Sequence, residues 1–427
     1  MALASAHRAD MAANSKPWHD KHPELGTGPV PIEPYISREY FELERERIFR
    51  QVWLNVGREE QIPRAGDYFV KDLLVCNTSI LVVRGKDGRV RAFHNMCSHR
   101  GNKVVWEGRG TCQAFTCKFH GWTYNTQGQL TFVPDEEGFF DLKKSEHGLT
   151  PAATDTWEGF IFIHLDRSPK ESLKVYLGEL GERLHGYPFA ETSATCYSWT
   201  TEVRANWKAI KDAFQESYHV AFLHKRSLPD SFTDTRNPFG HGLDVKLYPR
   251  HHSMTLCGNP EHQPTAVEAL AYKFGSLLIR NDFSTERLPQ GVNWTRDPSW
   301  AIDLNVIFPN FFLDVQEGTY FTYNMWPLAV DRTLWEIRSY YPQATSAGQR
   351  FSQEYGKVLF RDVLTEDANT LEKTQSVLAS GAKTHFILQD QELLVRHDQK
   401  VHEDFVGFYR ERNRDKEKNG KGIGAHA

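Results

Sequence analysis

The chain has 427 residues, of which 40% are hydrophobic and 25% charged, and its formal net charge is -4. That is material for more than one domain or one large one in the range of ordinary globular proteins, and it lacks the basic excess that binds nucleic acid. No apolar run is long enough to span a bilayer, and the start Met1-Ala-Leu-Ala-Ser-Ala-His-Arg lacks a charged stretch followed by an apolar one, so a cytoplasmic protein with no membrane partner is expected.

In chain order, residues 1 to about 35 are polar and contain prolines, and read as a surface-wrapping arm. Ser37 then N-caps a charged amphipathic helix that continues toward Phe49. From Trp53 to Asp166 the pattern is strand-like, with runs at Tyr68–Val70, Ser79–Arg84, Val90–Phe93 and Phe160–His164 and turns at Lys86-Asp-Gly and Thr126-Gln-Gly. A helix is expected over 172–184 and a strand from Thr200 leading into Asn206-Trp207. Ile302–Phe308, Thr319–Trp326 and Thr333–Tyr341 alternate as an antiparallel meander, followed by long helices over about 348–378 and 388–410. Strands followed by helices predict an α+β fold. The expected organisation is an N-terminal arm and helix (1–45), a small all-β domain (46–167), a larger domain with an antiparallel sheet (168–410) and a charged, Gly-rich solvated tail (411–427).

The β domain carries Cys97-Ser98-His99 and, further on, Cys117-Lys118-Phe119-His120. Two mixed Cys/His pairs suit a Rieske [2Fe-2S] cluster, in which two thiolates hold one iron and two imidazoles the other, raising the reduction potential. Zinc could use the same four donors, but structural zinc sites usually keep the two Cys together and the two His together. Unrelated core cysteines and surface histidines would explain any one of the four, not all four at this spacing. The remaining Cys76, Cys112, Cys196 and Cys257 read as buried thiols, and six cysteines in so long a chain do not make a disulfide framework.

A second donor set lies in Glu216-Ser-Tyr-His219-Val-Ala-Phe-Leu-His224. Trp207, Ile210, Phe214 and Tyr218 recur there at helical spacing and read as core. His219 and His224 would diverge by about 140° on a straight helix, so a shared metal requires a break, expected near Val220 to Leu223. A mononuclear Fe(II) that activates O2 uses two imidazoles and one carboxylate. Asp362, Glu366, Asp367 and Glu372 of the late helix are the candidate third ligands, and spacing does not choose among them.

Cys97-Ser-His-Arg-Gly101, Cys117-Lys-Phe-His-Gly-Trp-Thr-Tyr124, the Glu-x-x-His-x-x-x-x-His run after Asn206-Trp207-Lys208, and Glu366-Asp367 ahead of Gln375 together resemble the α subunits of Rieske non-haem iron oxygenases of the aromatic-ring-hydroxylating type. The resemblance covers nearly the whole chain and implies a helix-grip (START/Bet v1-like) catalytic domain beside the Rieske domain. It implies Cys97, His99, Cys117 and His120 as cluster ligands, His219, His224 and Asp367 as iron ligands, and Glu216 as the acid linking the two centres. It further implies a homotrimer, in which one subunit's cluster feeds its neighbour's iron, and a β subunit is compatible with it. A reductase, with or without a ferredoxin, would deliver NAD(P)H electrons, since the chain has no convincing nucleotide-binding Gly motif of its own. The chain departs from the family at Lys118-Phe119, where Pro-Tyr is usual, and at Ala213, where Asn is often found.

The expected reaction is O2-dependent hydroxylation, preferentially cis-dihydroxylation, of an aromatic or other hydrophobic ring. Monooxygenation or demethylation of a methylated or steroid-like substrate is the alternative, and a Rieske electron carrier without catalysis is the alternative from another class. Phe232, Phe239, Leu256, Phe274, Leu278, Trp294, Phe308, Phe312 and Trp326 are candidates for an apolar pocket.

Overall fold

The computed structural model describes residues 17–275, 288–412 and 414. The chain separates into a unit of Phe49–Gly181 and a unit of Met1–Ile48 with Glu182–Ala427. Leu278 and nearly all of the tail 411–427 lie outside the described residues.

The unit Phe49–Gly181 is built from β1 (Leu54–Arg58), β2 (Asp67–Leu73), β3 (Thr78–Arg84), β4 (Val90–His94), β5 (Arg109–Thr111), β6 (Ala114–Thr116), β7 (Thr123–Asn125), β8 (Leu130–Phe132), β9 (Pro151–Trp157) and β10 (Phe160–His164). Seven of these form an antiparallel sheet in the order β1-β10-β9-β4-β3-β2-β5, and β6-β7-β8 form a smaller one. Period-two alternation sends Leu81 and Val83 of β3 into one core with Phe93, Phe115, Trp122 and Tyr124. Cys97 and Cys117 are buried in that same core. β5 to β8 are three residues long with at most one buried residue each, so they carry little apolar patterning to announce them in the sequence.

In the other unit, Ser37 caps α1 (Arg38–Glu44) as expected, its side chain accepting from the Tyr40 amide. The helix expected over 172–184 is α2 (Leu173–Arg183), which begins in the unit Phe49–Gly181 and ends just past its boundary, and is interrupted at Gly178, where the backbone is left-handed at φ 50°. β11 (Thr195–Val203), β12 (Asp244–Leu247), β13 (His252–Cys257), β14 (Trp300–Ile307), β15 (Phe311–Gln316), β16 (Thr319–Ala329) and β17 (Arg332–Tyr341) form one antiparallel sheet in the order β11-β17-β16-β15-β14-β13-β12. The helices are α3 (Trp207–Ala213), α4 (Val220–Leu223), α5 (Ala266–Phe274), α6 (Ala347–Leu378) and α7 (Leu393–Val406). α6 packs against α3 and α5, and α7 against α1. Ser346 caps α6, accepting from the Gln349 amide. The buried face of α6 runs through Gly356, Leu364, Asp367, Leu371 and Gln375, a helical stripe with one acid in it.

α3 is held by buried charge as well as by apolar packing. Lys208 Nζ donates to Glu44 Oε1 at 2.6 Å, and Lys211 Nζ to Asp398 Oδ1 at 2.7 Å and the Pro309 carbonyl at 2.9 Å. These ion pairs have side chains no more than 2% exposed, so each charge depends on its partner.

Three expectations need correction. The helical stripe ends early: Trp207 and Ile210 are fully buried, Phe214 is half-buried and Tyr218 is exposed. The break falls at 214–218, after α3, because Asp212 and Lys211 carbonyls close the end of α3 onto the Phe214 amide. Val220–Leu223, where the break was expected, is itself a helical turn. Finally, Cys76 and Cys257 are buried, but Cys112 is half-buried and Cys196 exposed; Cys196 sits on β11, an edge strand whose alternate residues face outward. No cysteine forms a disulfide.

Candidate metal centres and cavity

The two Cys/His loops of the β domain are conformational copies. In the first, which follows β4, Cys97 N donates to Asn102 O at 2.8 Å and Gly101 N to Cys97 O at 2.9 Å; in the second, between β6 and β7, Cys117 N donates to Trp122 O at 2.8 Å and Gly121 N to Cys117 O at 3.0 Å. Each turn requires a left-handed residue, supplied by Gly101 (φ 75°) and Gly121 (φ 72°). The rings of His99 and His120 approach to 4.5 Å, and His99 stacks on Trp122 at 5.1 Å. Tyr124 Oη lies 3.3 Å from Cys97 Sγ and accepts from the Ser98 amide at 3.0 Å, while Asn102 Nδ2 lies 3.5 Å from Cys117 Sγ. Burial opposes ionisation of Cys117, but the Phe119 amide, the Asn102 amide and neighbouring donors outweigh it and hold the thiol below its ordinary range. Burial pushes Cys97 up.

His99 Nδ1 is buried and has no hydrogen-bond partner, as a donor atom reserved for a metal would be. Among the described residues, His219, His224 and Asp367 bring one donor atom each within 4.8 Å of one another. Lys118 and Phe119, the unusual middle residues, are exposed: Lys118 Nζ pairs with Glu107 at 2.5 Å and Phe119 lies against His120.

The second centre is assembled from two elements. His219 and His224 flank the single turn α4 as its N-cap and C-cap residues, with ring centroids 5.2 Å apart. Asp367 comes from the buried stripe of α6, and its Oδ1 lies 3.3 Å from His224 Nε2 and 3.7 Å from His219 Nε2. The other ring nitrogens are taken: His219 Nδ1 bonds to Glu216 Oε1, and His224 Nδ1 lies 2.8 Å from Glu366 Oε2, which also accepts from Ser227 Oγ at 2.6 Å. Glu216 additionally accepts from the His219 amide at 3.1 Å. Each imidazole is thus oriented by a carboxylate with Nε2 presented inward, as in carboxylate–histidine–metal sites. Both oxygens of Asp367 are buried without a hydrogen-bond partner. A bare buried carboxylate is strongly disfavoured unless a cation meets it, so the donor set fits a mononuclear iron. Burial alone would push His219 down; the Glu216 hydrogen bond and the charges of Glu216 and Asp367 outweigh it and raise its pKa.

The four acids of α6 are sorted by phase. Asp367 lies between Leu364 and Leu371 on the buried stripe, Asp362 is exposed, Glu366 is on His224, and Glu372 accepts from the Arg204 amide at 3.0 Å. An acid in register with flanking leucines was the signal that could have selected it from sequence.

A cavity opens beside these three residues, between α3, α4 and α6 on one side and β13–β17 on the other. Ala213 and Phe214 line it, as do Leu359, Phe360 and Val363 from α6, and Phe321, Tyr323 and Tyr341 from the sheet. Of the nine apolar candidates, Phe232 and Leu256 line it. Phe308, Phe312 and Trp326 are core, Phe239 and Phe274 are exposed, Trp294 is tied to Asp244, and Leu278 is outside the described residues. The expected set leaned on the segment before the meander, whereas the wall comes from inward rows of the sheet. Asp314, Gln316 and Ser339 also line the cavity and were not anticipated. No described helix is long and apolar enough to cross a membrane.

Two family models match: the Rieske [2Fe-2S] domain over residues 52–145 and the ring hydroxylating alpha subunit (catalytic domain) over residues 190–407. Among curated proteins, the chain is 33% identical over 213 residues to a glycine betaine monooxygenase oxygenase subunit of Pseudomonas aeruginosa, covering 48% of each chain. It is 35% identical over 199 residues to the biphenyl 2,3-dioxygenase subunit alpha of Rhodococcus jostii, covering 45% of this chain and 43% of that one. These alignments span about half the length of the curated relatives. A solved quaternary ammonium Rieske monooxygenase superposes with a TM-score of 0.70 at 20% identity, covering 88% of this chain and 96% of that one, and the naphthalene 1,2-dioxygenase of Rhodococcus sp. with 0.69 at 21%, covering 88% and 94%. At that identity the likeness is one of fold. With the catalytic-domain model matching half of its length and the Rieske model preceding it, the chain belongs to the ring-hydroxylating α-subunit family of Rieske oxygenases.

Proposed function

We propose that this chain is the terminal oxygenase component of a multicomponent system that uses NAD(P)H-derived electrons and O2 to oxidise a hydrophobic small molecule. The observation that carries the reading is the pair of donor sets in one chain, each with a buried polar atom that lacks a protein partner: His99 Nδ1 in one and both Asp367 oxygens in the other. Cys97, His99, Cys117 and His120 would hold the [2Fe-2S] cluster, and His219, His224 and Asp367 the iron. A Rieske cluster stores one electron at a raised potential, and a two-His, one-carboxylate iron leaves coordination positions for O2 and substrate.

The chain's own residues do the positioning. Glu216 and Glu366 fix the tautomers and orientation of His219 and His224. Phe214, Phe321, Phe360 and Leu359 surround the cavity, displace water and hold an apolar substrate body beside the donors. An aromatic or other hydrophobic ring fits that wall, with cis-dihydroxylation as the reaction. Monooxygenation of an alkylated substrate is the second reading, favoured by the likeness to a betaine monooxygenase and by the carboxyl of Asp314 in the wall.

Electron delivery between subunits of a homotrimer accounts for two surfaces. Met96, Trp106 and Phe119 are exposed beside the cluster loops, and Tyr218, Phe222 and Phe239 form an exposed aromatic group beside Glu216. Exposed apolar groups of this kind mark protein contacts, and a reductase or ferredoxin is a further partner for the first.

The test is reconstitution with a promiscuous reductase, NADH and isotopically labelled O2, against a panel of aromatic hydrocarbons and N-alkylated compounds, with products read by mass spectrometry. One labelled oxygen in the product supports monooxygenation and two support dihydroxylation. No labelled product across the panel despite cluster reduction overturns the oxygenase reading. Mixing Cys97→Ala protein with Asp367→Ala protein tests the trimer: mixed assemblies regain activity if the cluster serves a neighbour's iron, and remain inactive if it does not.

A further inference from the structure

One wall of the cavity holds a polar group that the metal centre does not use. Asp314 lies on β15 opposite Phe321 of β16, and Phe321 lies opposite Ser339 of β17, so Asp314 and Ser339 share one cross-strand row. Gln316, two residues on, faces the same side in the next row opposite Thr319. All three line the cavity. They are no more than 4% exposed, and Asp314 Oδ2, Gln316 Oε1 and Ser339 Oγ are each buried without a hydrogen-bond partner. Asp314 Oδ1 is held by the Asn305 amide at 3.0 Å, which fixes the carboxyl with Oδ2 unengaged.

Buried polar atoms in native proteins are almost always satisfied, and three convergent exceptions in a cavity wall point to a ligand that satisfies them. All three can accept hydrogen bonds; the Gln316 amide oxygen can do nothing else, and Asp314 Oδ2 is acceptor-only once the carboxyl is ionised. Among the described residues, the charged side chains lining the cavity are Glu216, Asp314 and Asp367 with the two metal-facing histidines, and no Lys or Arg. Glu216 and Asp367 belong to the metal centre, which leaves Asp314 as the uncompensated acid. Phe321, its cross-strand partner, lines the same cavity with Tyr323 and Tyr341, and aromatic rings are compatible with a bound cation.

We propose that Asp314, Gln316 and Ser339 form a subsite that binds the protonated amine of an arylalkyl- or alkylamine substrate, placing the hydrophobic body of that substrate toward His219, His224 and Asp367. The subsite rests on the oxygenase reading and names its substrate class. Burial raises the Asp314 carboxyl well above the usual carboxylate range, the Asn305 amide opposes this and Asp303 adds to it. A cation beside Oδ2 restores the charged form, and the carboxyl proton leaves to solvent. Among the described lining residues a substrate carboxylate meets Asp314 and no cationic side chain, which disfavours anionic substrates at this wall.

The experiment is calorimetric binding to the iron-loaded protein, without reductase, of benzylammonium, toluene, benzoate and benzyltrimethylammonium. A hydrogen bond to a charged group is worth about 1.5–3 kcal/mol, so benzylammonium is expected to bind roughly ten- to a hundred-fold more tightly than toluene, with benzoate weakest. Asp314→Asn retains an oxygen for the Asn305 amide and is expected to reduce that preference at least about ten-fold. Should it fail to fold, Ser339→Ala and the selectivity of the unmodified protein carry the test. Equal binding of benzylammonium and toluene overturns the subsite, as does tighter binding of benzyltrimethylammonium, which has no N–H to donate. The two readings fail separately: ammonium preference without oxygenated amine under reductase and NADH overturns the oxygenase assignment, and oxygenated toluene without ammonium preference overturns the subsite.

Discussion

Glu366 is the outer support of one histidine, and its removal has a calculable effect. Its Oε2 accepts from His224 Nδ1 at 2.8 Å and from Ser227 Oγ at 2.6 Å. His224 is 2% exposed, so water does not readily replace the acceptor. Glu366→Ala leaves a buried N–H unpaired and the ring free to turn, and loss of such an outer partner typically weakens metal binding ten- to a hundred-fold, about 1.4–2.7 kcal/mol. Glu366→Gln retains an oxygen acceptor and is expected to weaken iron less than about ten-fold. Ser227→Ala removes one hydroxyl donor, worth about 0.5–1.5 kcal/mol, and falls between the unmodified protein and Glu366→Ala. The assay is anaerobic Fe(II) titration against a competing chelator, with the visible absorbance of the cluster as an internal control that stays constant. Iron affinity of Glu366→Ala equal to that of the unmodified protein, or losses equal in Ala and Gln variants, would refute the orienting role.

Further outcomes follow from strain, charge and protonation. Gly121→Ala forces a side chain onto a residue at φ 72° with its Cβ 3.0 Å from Pro134 Cγ, costing about 1–2 kcal/mol; thermal bleaching of the cluster should come at lower temperature, and an unchanged bleaching profile would count against the turn argument. Lys211→Met leaves Asp398 buried without its cation, and should lower stability by about 3–5 kcal/mol, on the order of 10 °C in Tm by calorimetry; a shift under about 2 °C would show that the pair is dispensable. His397 is pushed down to about 4, chiefly by burial, and its Nδ1 lies 3.2 Å from that of His252, a contact that works only while one ring can accept. The unfolded state then binds more protons between pH 4 and 6.5, so stability present above pH 6.5 is lost as pH falls toward 4, by about 1.4 kcal/mol per pH unit. His397→Gln should flatten the Tm-against-pH curve in that window, and an unchanged slope would assign the acid lability elsewhere.

How much of this was legible in the sequence depends on how local each signal is. The paired Cys/His loops were, because Cys97 to Gly101 and Cys117 to Gly121 carry the donor side chains and the turn glycine in the same few residues. The long strands and α6 followed from periodicity. The short strands β5 to β8 did not, since three residues are too few for alternation to be read. A break in the helix was foreseen but placed between the histidines at Val220–Leu223, whereas it precedes His219, because the end of α3 is decided by its own terminal carbonyls. Asp314 was invisible because apolarity was the criterion for the cavity wall, while its significance comes from the row it shares with Ser339 across three strands.

The two centres differ in how far along the chain their donors lie, and this sets an order of assembly. Cys97 to His120 is a loop of roughly 20 residues, whereas His219 to Asp367 closes one of roughly 150, a difference of about 2 kcal/mol in closure entropy. The cluster can therefore be inserted once two neighbouring hairpins have met. The iron must wait until the whole sheet between β12 and β17 is threaded and α6 is laid against α4. Once bound, it acts as a long-range cross-link, and its mass action adds to the stability of that topology. Iron starvation would thus produce protein that is coloured by its cluster yet loosened at α6, readable as faster amide exchange around Leu364 and Leu371 than in the iron-loaded chain.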